Sequence, residues 1–510
     1  MGDKTAMLAD PYAQGLKLSV KGLHAQAIER FEQALAIKPD DTRTLFALGN
    51  TARALGMSRP AEEFYRRVLR LEPQRLEAVV NLANLLRAQG QFAAVVALLQ
   101  PALAESPDAP ELWLTLGSTY RETGDRESAA IYYREALARR PNYAAALGNL
   151  AELAADEGKR EEALALYDRA LKADPANAQA RLNRAMFDLL NGDLKRGWRD
   201  YAARFKIPGK VPVPDHGLAR WNGATLKRTR LLVTAEQGVG DQIMYASTMG
   251  SLAARTSAEG GSILLECEPR LLELFARSFP TIGVRRWDVE TRAGVARAHY
   301  GWLKAAGGAN AAIEMGTLPR ILRNRIEDFP KLDRYLVSDA EEVGRWREAF
   351  ALLPRPLIGV SWRSGSTGGS RALEYAPLGA WAAFLRELPG TIVCAQYDAR
   401  EEEIVALKAM NGRNLVVPAA LDQKNDLDRT AAMFSALDAM VSAPTAVSWL
   451  AAAIGVATCK ILYEASWRSF GRSYEPFAPS ALCIVPRTRG DWADAFAQTS
   501  AKLNSLFASA

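Results

Sequence analysis

Five prolines recur at a spacing of 34 residues: Pro39, Pro73, Pro107, Pro141 and Pro175. Seventeen residues before each stands a glycine: Gly22, Gly56, Gly90, Gly124 and Gly158. Twelve residues before each proline the register reads Ala27, Ala61, Val95, Ala129 and Ala163. Eight before, it reads Phe31, Tyr65, Leu99, Tyr133 and Tyr167; five before, Ala34, Val68, Ala102, Ala136 and Ala170. Proline ends one helix and glycine ends another, so each period is a pair of helices. Small residues let the two helices approach, and the bulky ones fill the gap to the next pair. No single pair buries its apolar face alone. Stacked pairs share one continuous core, which makes this region a solenoid.

The register resembles the tetratricopeptide (TPR) repeat, and the fourth copy adds Trp113, Leu116, Gly117 and Tyr120. A sixth, degraded copy runs through Gly192 to Gly197-Trp198-Arg199-Asp200-Tyr201 and is expected to cap a solenoid spanning 1–205. Arginines recur at one repeat position, Arg53, Arg87 and Arg121. Asparagines recur beside them at Asn50 and Asn84, and at Asn81, Asn149 and Asn183. Two readings stand. One is a solvated polar face. The other is a ladder gripping an extended acceptor peptide, because a side-chain amide offers both a donor and an acceptor to any peptide bond. The ladder is similar to that of O-GlcNAc transferase arrays.

At 510 residues, about three domains are expected. The charge is balanced in residues 1–205, with 28 basic and 27 acidic side chains; residues 206–510 carry 36 and 31. An overall excess of +6 is too mild to argue for nucleic acid and places an anionic ligand best in the second part. Cys267, Cys394, Cys459 and Cys483 lack metal-site spacing and read as buried free thiols, and three histidines supply too little for a zinc site. The first fifteen residues carry acids and no apolar run, so no signal peptide is expected. The longest uncharged stretch, Ala439 to Cys459, contains Pro444 and Gly455 and reads as strand, loop, buried helix and strand. With no membrane span expected, the chain is placed in the cytoplasm.

After a Pro/Gly-rich connector that opens a linker at 206–229, strands alternate with helices, which argues for parallel sheets. The strands are expected at 230–235, 262–266, 357–362, 391–396, 415–418, 439–442, 458–463 and 482–486. A charged stretch, 324–347, divides the region into halves at 230–345 (acceptor side) and 346–510 (donor side). Two such α/β halves facing across a cleft resemble the GT-B architecture of nucleotide-sugar glycosyltransferases.

Three motifs carry the chemistry. Glu236-Gln237-Gly238-Val239-Gly240-Asp241-Gln242 follows the first strand and opens a helix, placing backbone N–H groups at the cleft. It lacks the third glycine of a dinucleotide site. Gly359-Val360-Ser361-Trp362-Arg363-Ser364-Gly365, with Arg371 beyond, ends a strand in hydroxyls and a guanidinium suited to phosphate. Asn425-Asp426-Leu427-Asp428 precedes a strand and the turn Ser442-Ala443-Pro444-Thr445-Ala446, whose hydroxyl and N–H groups suit a phosphate. Asp426 and Asp428 have metal-motif spacing, and helix capping explains them more simply.

The first motif, with the preceding Trp221-Asn222-Gly223, resembles the heptosyltransferase-like family and bacterial proteins that fuse TPRs to it. The resemblance implies that Asp241 is the catalytic base; a helix-capping role is the alternative. It also implies donor contacts at Gly238, Gly240, Gln242, Ser361, Arg363, Ser364, Gly365, Arg371, Gln396, Tyr397, Asp428, Ser442, Pro444, Thr445 and Ala446. Pro444 stands where the family has Asp, and Val447-Ser448-Trp449 replaces its His. The whole pattern looks most like TPR-fused flagellin glycosyltransferases. That implies an array binding flagellin through Asn50, Arg53, Asn81, Asn84, Arg87, Arg121 and Asn149, and metal-free inverting transfer of a nonulosonic acid such as pseudaminic acid from a CMP donor to Ser/Thr, with no cofactor. The competing readings are a non-catalytic TPR adaptor and an envelope-glycan transferase of heptosyltransferase type.

Overall fold

The computed structural model describes residues 10–207, 213–292, 295–365, 374–411, 415–418 and 420–508. They form two compact units. One runs to Asn183 and takes in the short stretch Thr291–Val295; the other runs from Arg184 to Glu290 and onward from Ala296.

The repeat yields twelve helices: α1 (Pro11–Val20), α2 (His24–Ile37), α3 (Thr42–Ala54), α4 (Ser58–Leu71), α5 (Leu76–Ala88), α6 (Phe92–Glu105), α7 (Pro110–Thr123), α8 (Arg126–Arg139), α9 (Ala144–Asp156), α10 (Arg160–Ala173), α11 (Ala178–Leu190) and α12 (Leu194–Tyr201). The glycines between paired helices adopt positive φ, from 74° at Gly56 to 88° at Gly124, where any side chain would be strained. Ala61, Tyr65 and Val68 of α4, and their equivalents Ala129, Tyr133 and Ala136 of α8, are buried as the register predicts. Glycine also serves inside the first helix of a pair. A Cβ on Gly49 would lie 2.6 Å from the Tyr65 ring, and one on Gly117 2.6 Å from Tyr133.

The first unit ends inside α11, whereas 205 was the expected limit. The sixth copy folds with the second unit because its aromatic residues are buried there. Trp198 packs on Trp467, Phe470 and Phe477 and donates its indole N–H to the Arg323 carbonyl. The expected linker is also structured in part. The Trp221 N–H donates to the Ala312 carbonyl, and Leu226 is fully buried.

In chain order the second part continues with β1 (Val213–Pro214), β2 (Arg230–Thr234), α13 (Val239–Ala246), α14 (Met249–Glu259), β3 (Ser262–Cys267), α15 (Leu272–Ser278), β4 (Gly283–Arg286), β5 (Val289–Arg292), β6 (Val295–Ala298), β7 (Ala311–Glu314) and α16 (Pro319–Leu322). Then come α17 (Ala340–Ala349), β8 (Leu357–Ser361), α18 (Leu378–Glu387), β9 (Thr391–Cys394), α19 (Glu401–Asn411), β10 (Leu415–Val416), α20 (Leu427–Phe434), β11 (Ala439–Ser442), α21 (Ala446–Ala453), β12 (Thr458–Ile461), β13 (Tyr474–Glu475), β14 (Ala478–Ile484) and α22 (Trp492–Ala508). Two main sheets result. The smaller has the order β4-β3-β2-β7, all parallel. The larger has the order β10-β9-β8-β11-β12-β14-β13, parallel except at β13. The stretch Ala439–Cys459 is strand, turn, buried helix and strand, as expected. Residues 324–347 do more than divide the halves: the Tyr335 and Leu336 N–H groups both donate to the Ala453 carbonyl at the end of α21.

Candidate functional site

A cleft of about 670 Å³ opens between the two sheets of the second unit. Five strands point their carboxyl ends into it. After β2 comes Gly238–Asp241, after β8 Ser364, after β9 Tyr397, after β11 Pro444–Ala446, and after β12 Leu462–Glu464. In parallel α/β sheets, strand carboxyl ends are where ligands bind, because loops and helix N-termini converge there. Here the starts of α13 and α21 both meet the cleft. Gly238 leaves its backbone open, since a Cβ there would touch nothing within 4 Å. Gly240 has a packing role: its Cβ would lie 3.3 Å from the Ala446 Cα, so glycine lets α13 and α21 cross closely.

The loop before α13 is held from behind. Gln237 sits at φ 61°, a conformation rare for a side-chain-bearing residue. Its amide donates to the Tyr201 hydroxyl at 3.2 Å, and Tyr245 donates to the same oxygen at 3.1 Å. Burial raises the pKa of both tyrosines, so they stay neutral hydrogen-bonding groups. Beside them Glu236, 1% exposed, takes both arms of Arg204, 2% exposed, at 2.9 and 2.7 Å, and accepts from the Gly316 N–H at 2.5 Å.

Asp241 lies in the first turn of α13, after the N-cap Gly238, and makes no cap. Its Oδ1 instead accepts from Arg468 Nη2 at 2.8 Å, across 227 residues of chain. Burial works against the Arg468 charge, but Asp241 more than offsets this and raises its pKa. Lys460, 2% exposed, lines the same cleft; its Nζ pairs with the buried Glu475 at 2.5 Å and lies 4.2 Å from the centre of the Trp449 ring. Thr445 is the N-cap of α21, its Oγ1 accepting from the Val447 N–H.

Several expected donor contacts turn out to be internal fasteners. Arg363 is 7% exposed, and its guanidinium is spent on Glu403 at 2.6 and 2.7 Å, Asp398 at 3.0 Å and the Asp398 and Ser364 carbonyls. Gln396 accepts from the Ser361 hydroxyl and the Trp362 and Arg363 N–H groups, and donates to the Arg363 carbonyl and Asp398. Both amide ends are therefore occupied in binding β8 to β9. Ser361 and Ser442 are wholly buried, and the Ser442 hydroxyl donates to the Ala443 carbonyl. Asp428 forks onto Arg277 at 2.7 Å through both oxygens, tying the two halves together. Gln242 is buried, accepting from the Glu268 N–H. Gly365 donates its N–H to the Tyr397 hydroxyl. Arg371 lies outside the described residues. Of the expected donor set, Gly238, Gly240, Ser364, Tyr397, Pro444, Thr445 and Ala446 line the cleft with Asp241.

Sequence reasoning missed Tyr201, Arg204, Lys460, Trp467 and Arg468. Most of their partners lie far along the chain, Asp241 lying 227 residues from Arg468, so no local spacing marks them. Only Tyr201 carried a signal, as a repeat residue retained in an otherwise degraded copy. No group of three or more His, Cys, Asp or Glu suited to a metal occurs among the described residues. All four cysteines are buried and free, with burial pushing Cys394 up to about 11 and Cys267 to about 12.

In the first unit the expected acceptor ladder is largely turned on itself. Asn50 Oδ1 accepts from the Tyr65 hydroxyl and from Asn81, each at 2.8 Å. Asn149 reaches Ser118 at 3.4 Å, Arg87 pairs with Glu122 at 3.5 Å, and Arg121 and Asn183 both engage Glu152. Arg53 stands beside the Tyr65 hydroxyl, and Asn84 is half-buried on α5. The Asn81, Asn149 and Asn183 links join residues 31 positions apart and so staple neighbouring repeats. Arg53 and Arg121 remain exposed.

Sequence profiles of the tetratricopeptide repeat match residues 42–75, 80–144 and 122–181. The helical array is a tetratricopeptide-repeat solenoid. The chain is 30% identical over 336 residues to Protein FlbA of Caulobacter vibrioides, a match covering 65% of this chain and 56% of that protein. The chain therefore spans little more than half of that relative. Among solved structures it is similar to TTC0263, a thermophilic TPR protein of Thermus thermophilus, at 28% identity over 35% of this chain and 97% of that one, with a TM-score of 0.31. It is also similar to YrrB, a TPR protein with an unusual peptide-binding site, at 20% identity over 33% and 88%, with a TM-score of 0.27. No helix among the described residues is long and apolar enough to cross a membrane.

Proposed function

We propose that this chain is a protein O-glycosyltransferase: the solenoid binds the acceptor protein, and the cleft transfers a sugar from a nucleotide donor. The observation that carries the reading is the convergence of Asp241, Ser364, Tyr397 and Thr445, from motifs up to 204 residues apart, on one cleft at the carboxyl ends of parallel strands. Two α/β halves facing across such a cleft suit a GT-B transferase. In the reaction, Asp241 accepts the proton of a Ser/Thr hydroxyl. The hydroxyl oxygen bonds to the anomeric carbon, and the bond from that carbon to the phosphate oxygen breaks, its electron pair leaving with the nucleotide. The N-termini of α13 and α21 supply N–H groups where negative charge gathers on the leaving phosphate. The resemblance to flagellin glycosyltransferases supplies the specific form: flagellin as acceptor and CMP-pseudaminic acid as donor.

A second reading, a TPR adaptor with a silent cleft, is favoured by the Arg363 guanidinium being fully engaged and by the ion pair on Asp241. Intact-mass measurement of flagellin incubated with CMP-pseudaminic acid separates the two. The transferase adds the mass of one or more sugars, and Asp241→Asn adds none. A chain that binds flagellin and CMP yet leaves the mass unchanged is the adaptor.

A further inference from the structure

Arg468 lines the cleft and differs from paired arginines elsewhere in the second unit. Arg363 and Arg277 each satisfy a carboxylate through two arms. Arg468 touches Asp241 through Nη2 alone, and its Nε is buried with no hydrogen-bond partner. A single-armed contact uses a fraction of what a planar guanidinium offers, and an unsatisfied buried N–H is costly. A carboxylate or phosphate presented edge-on satisfies both the Nε and an Nη. One further feature suits the cleft to negative charge: α21 begins there at Thr445, whereas the Lys460 charge is already met by Glu475.

We propose that Arg468 is the anion-receiving residue of the cleft, and that an incoming anionic group of the donor takes its guanidinium away from Asp241. This rests on the cleft being the transferase site. In the empty cleft, the arginine neutralises the base. In the filled cleft, the stronger two-armed partner holds the arginine, and Asp241 turns its carboxylate to the acceptor hydroxyl. The base is thus released only when a donor is present. The anionic group is a phosphate of the nucleotide or a carboxylate of the sugar, and the two are separable because each exists alone in a simple probe.

The test is calorimetric titration of the full chain with CMP, which offers only the phosphate, and separately with free N-acetylneuraminic acid, which offers only the carboxylate. At least one should bind the wild type. For that probe, Arg468→Gln should weaken binding roughly tenfold or more, the scale of one charge-assisted pair. Arg468→Lys should restore part of it. Asp241→Asn should bind severalfold more tightly, because the arginine no longer has to be taken from a carboxylate. That gain distinguishes competition for Arg468 from a purely structural ion pair, whose loss would leave affinity unchanged or lower it. Wild-type affinity in Arg468→Gln, or no gain in Asp241→Asn, overturns the proposal while leaving the donor site intact. If neither anion binds the wild type, both the proposal and the transferase reading fall.

Discussion

The two units handle buried polarity in opposite ways. In the solenoid, polar links recur. Asn50–Asn81, Ser118–Asn149 and Glu152–Asn183 join adjacent repeats at the same 31-residue separation. Each is a half-buried rung, and the loss of one leaves the others standing. In the second unit, the deepest polar links occur once. Arg204 with Glu236, and Lys460 with Glu475, are each nearly or fully buried, and no neighbour duplicates them. A repeat spreads its specificity along the chain, whereas a cleft concentrates it in a few contacts between distant segments.

The largest effect that can break this contrast is Arg204→Ala. It leaves the Glu236 carboxylate buried without its cation and should cost about 3–5 kcal/mol in the second unit. Ten of the eleven tryptophans lie outside the repeats' first unit, so tryptophan fluorescence during denaturation reports the second unit. Arg204→Met with Glu236→Leu should recover most of the loss. Equal destabilisation of the array, followed through its helical circular dichroism, would show that the units are not independent in this respect.

A smaller effect concerns Glu266, fully buried at the end of β3, where burial pushes its carboxyl up to about 8. Its Oε2 accepts from the Ala235 N–H and the Tyr300 hydroxyl, and its Oε1 has no partner among the described residues. The folded protein therefore keeps a proton that the unfolded chain releases above its ordinary value of 4.5. Stability is then lost as pH rises from about 4.5 to about 8, by ~1.4 kcal/mol per pH unit. Glu266→Gln should flatten that slope in a denaturation series across pH. A slope unchanged by the substitution would remove the carboxyl from the account.

The smallest effect is Asn81→Ala in the ladder, about 0.5–1.5 kcal/mol by thermal unfolding. A loss as large as that from Arg204→Ala would erase the distinction between repeated and single-copy links.

The same contrast explains what is legible in the sequence alone. The solenoid was legible because its causes are local and repeated: glycine at positive φ ends one helix, proline ends the next, and Tyr65 or Tyr133 fills a fixed gap. In the second unit, the Gly238–Asp241 and Pro444–Ala446 turns were legible from strand, turn and helix composition. The fate of single side chains was not. Arg363 looks like a phosphate ligand beside Ser364 and Gly365, but Glu403, forty residues later, claims it. Asp428 looks like a site acid until Arg277, 151 residues earlier, is seen to hold it. Short strands such as β4 and β7 escaped notice because four-residue runs rely on pairing with β3 and β2 more than on their own pattern.

Under the proposed function, one chain both holds an acceptor protein and glycosylates it. The most direct measurement is the intact mass of flagellin after incubation with CMP-pseudaminic acid and either the wild-type chain or Asp241→Asn. The account predicts added sugar mass with the wild type and none with Asp241→Asn, although both bind flagellin. Unmodified flagellin after incubation with a wild-type chain that binds both substrates, or full modification by Asp241→Asn, would contradict it.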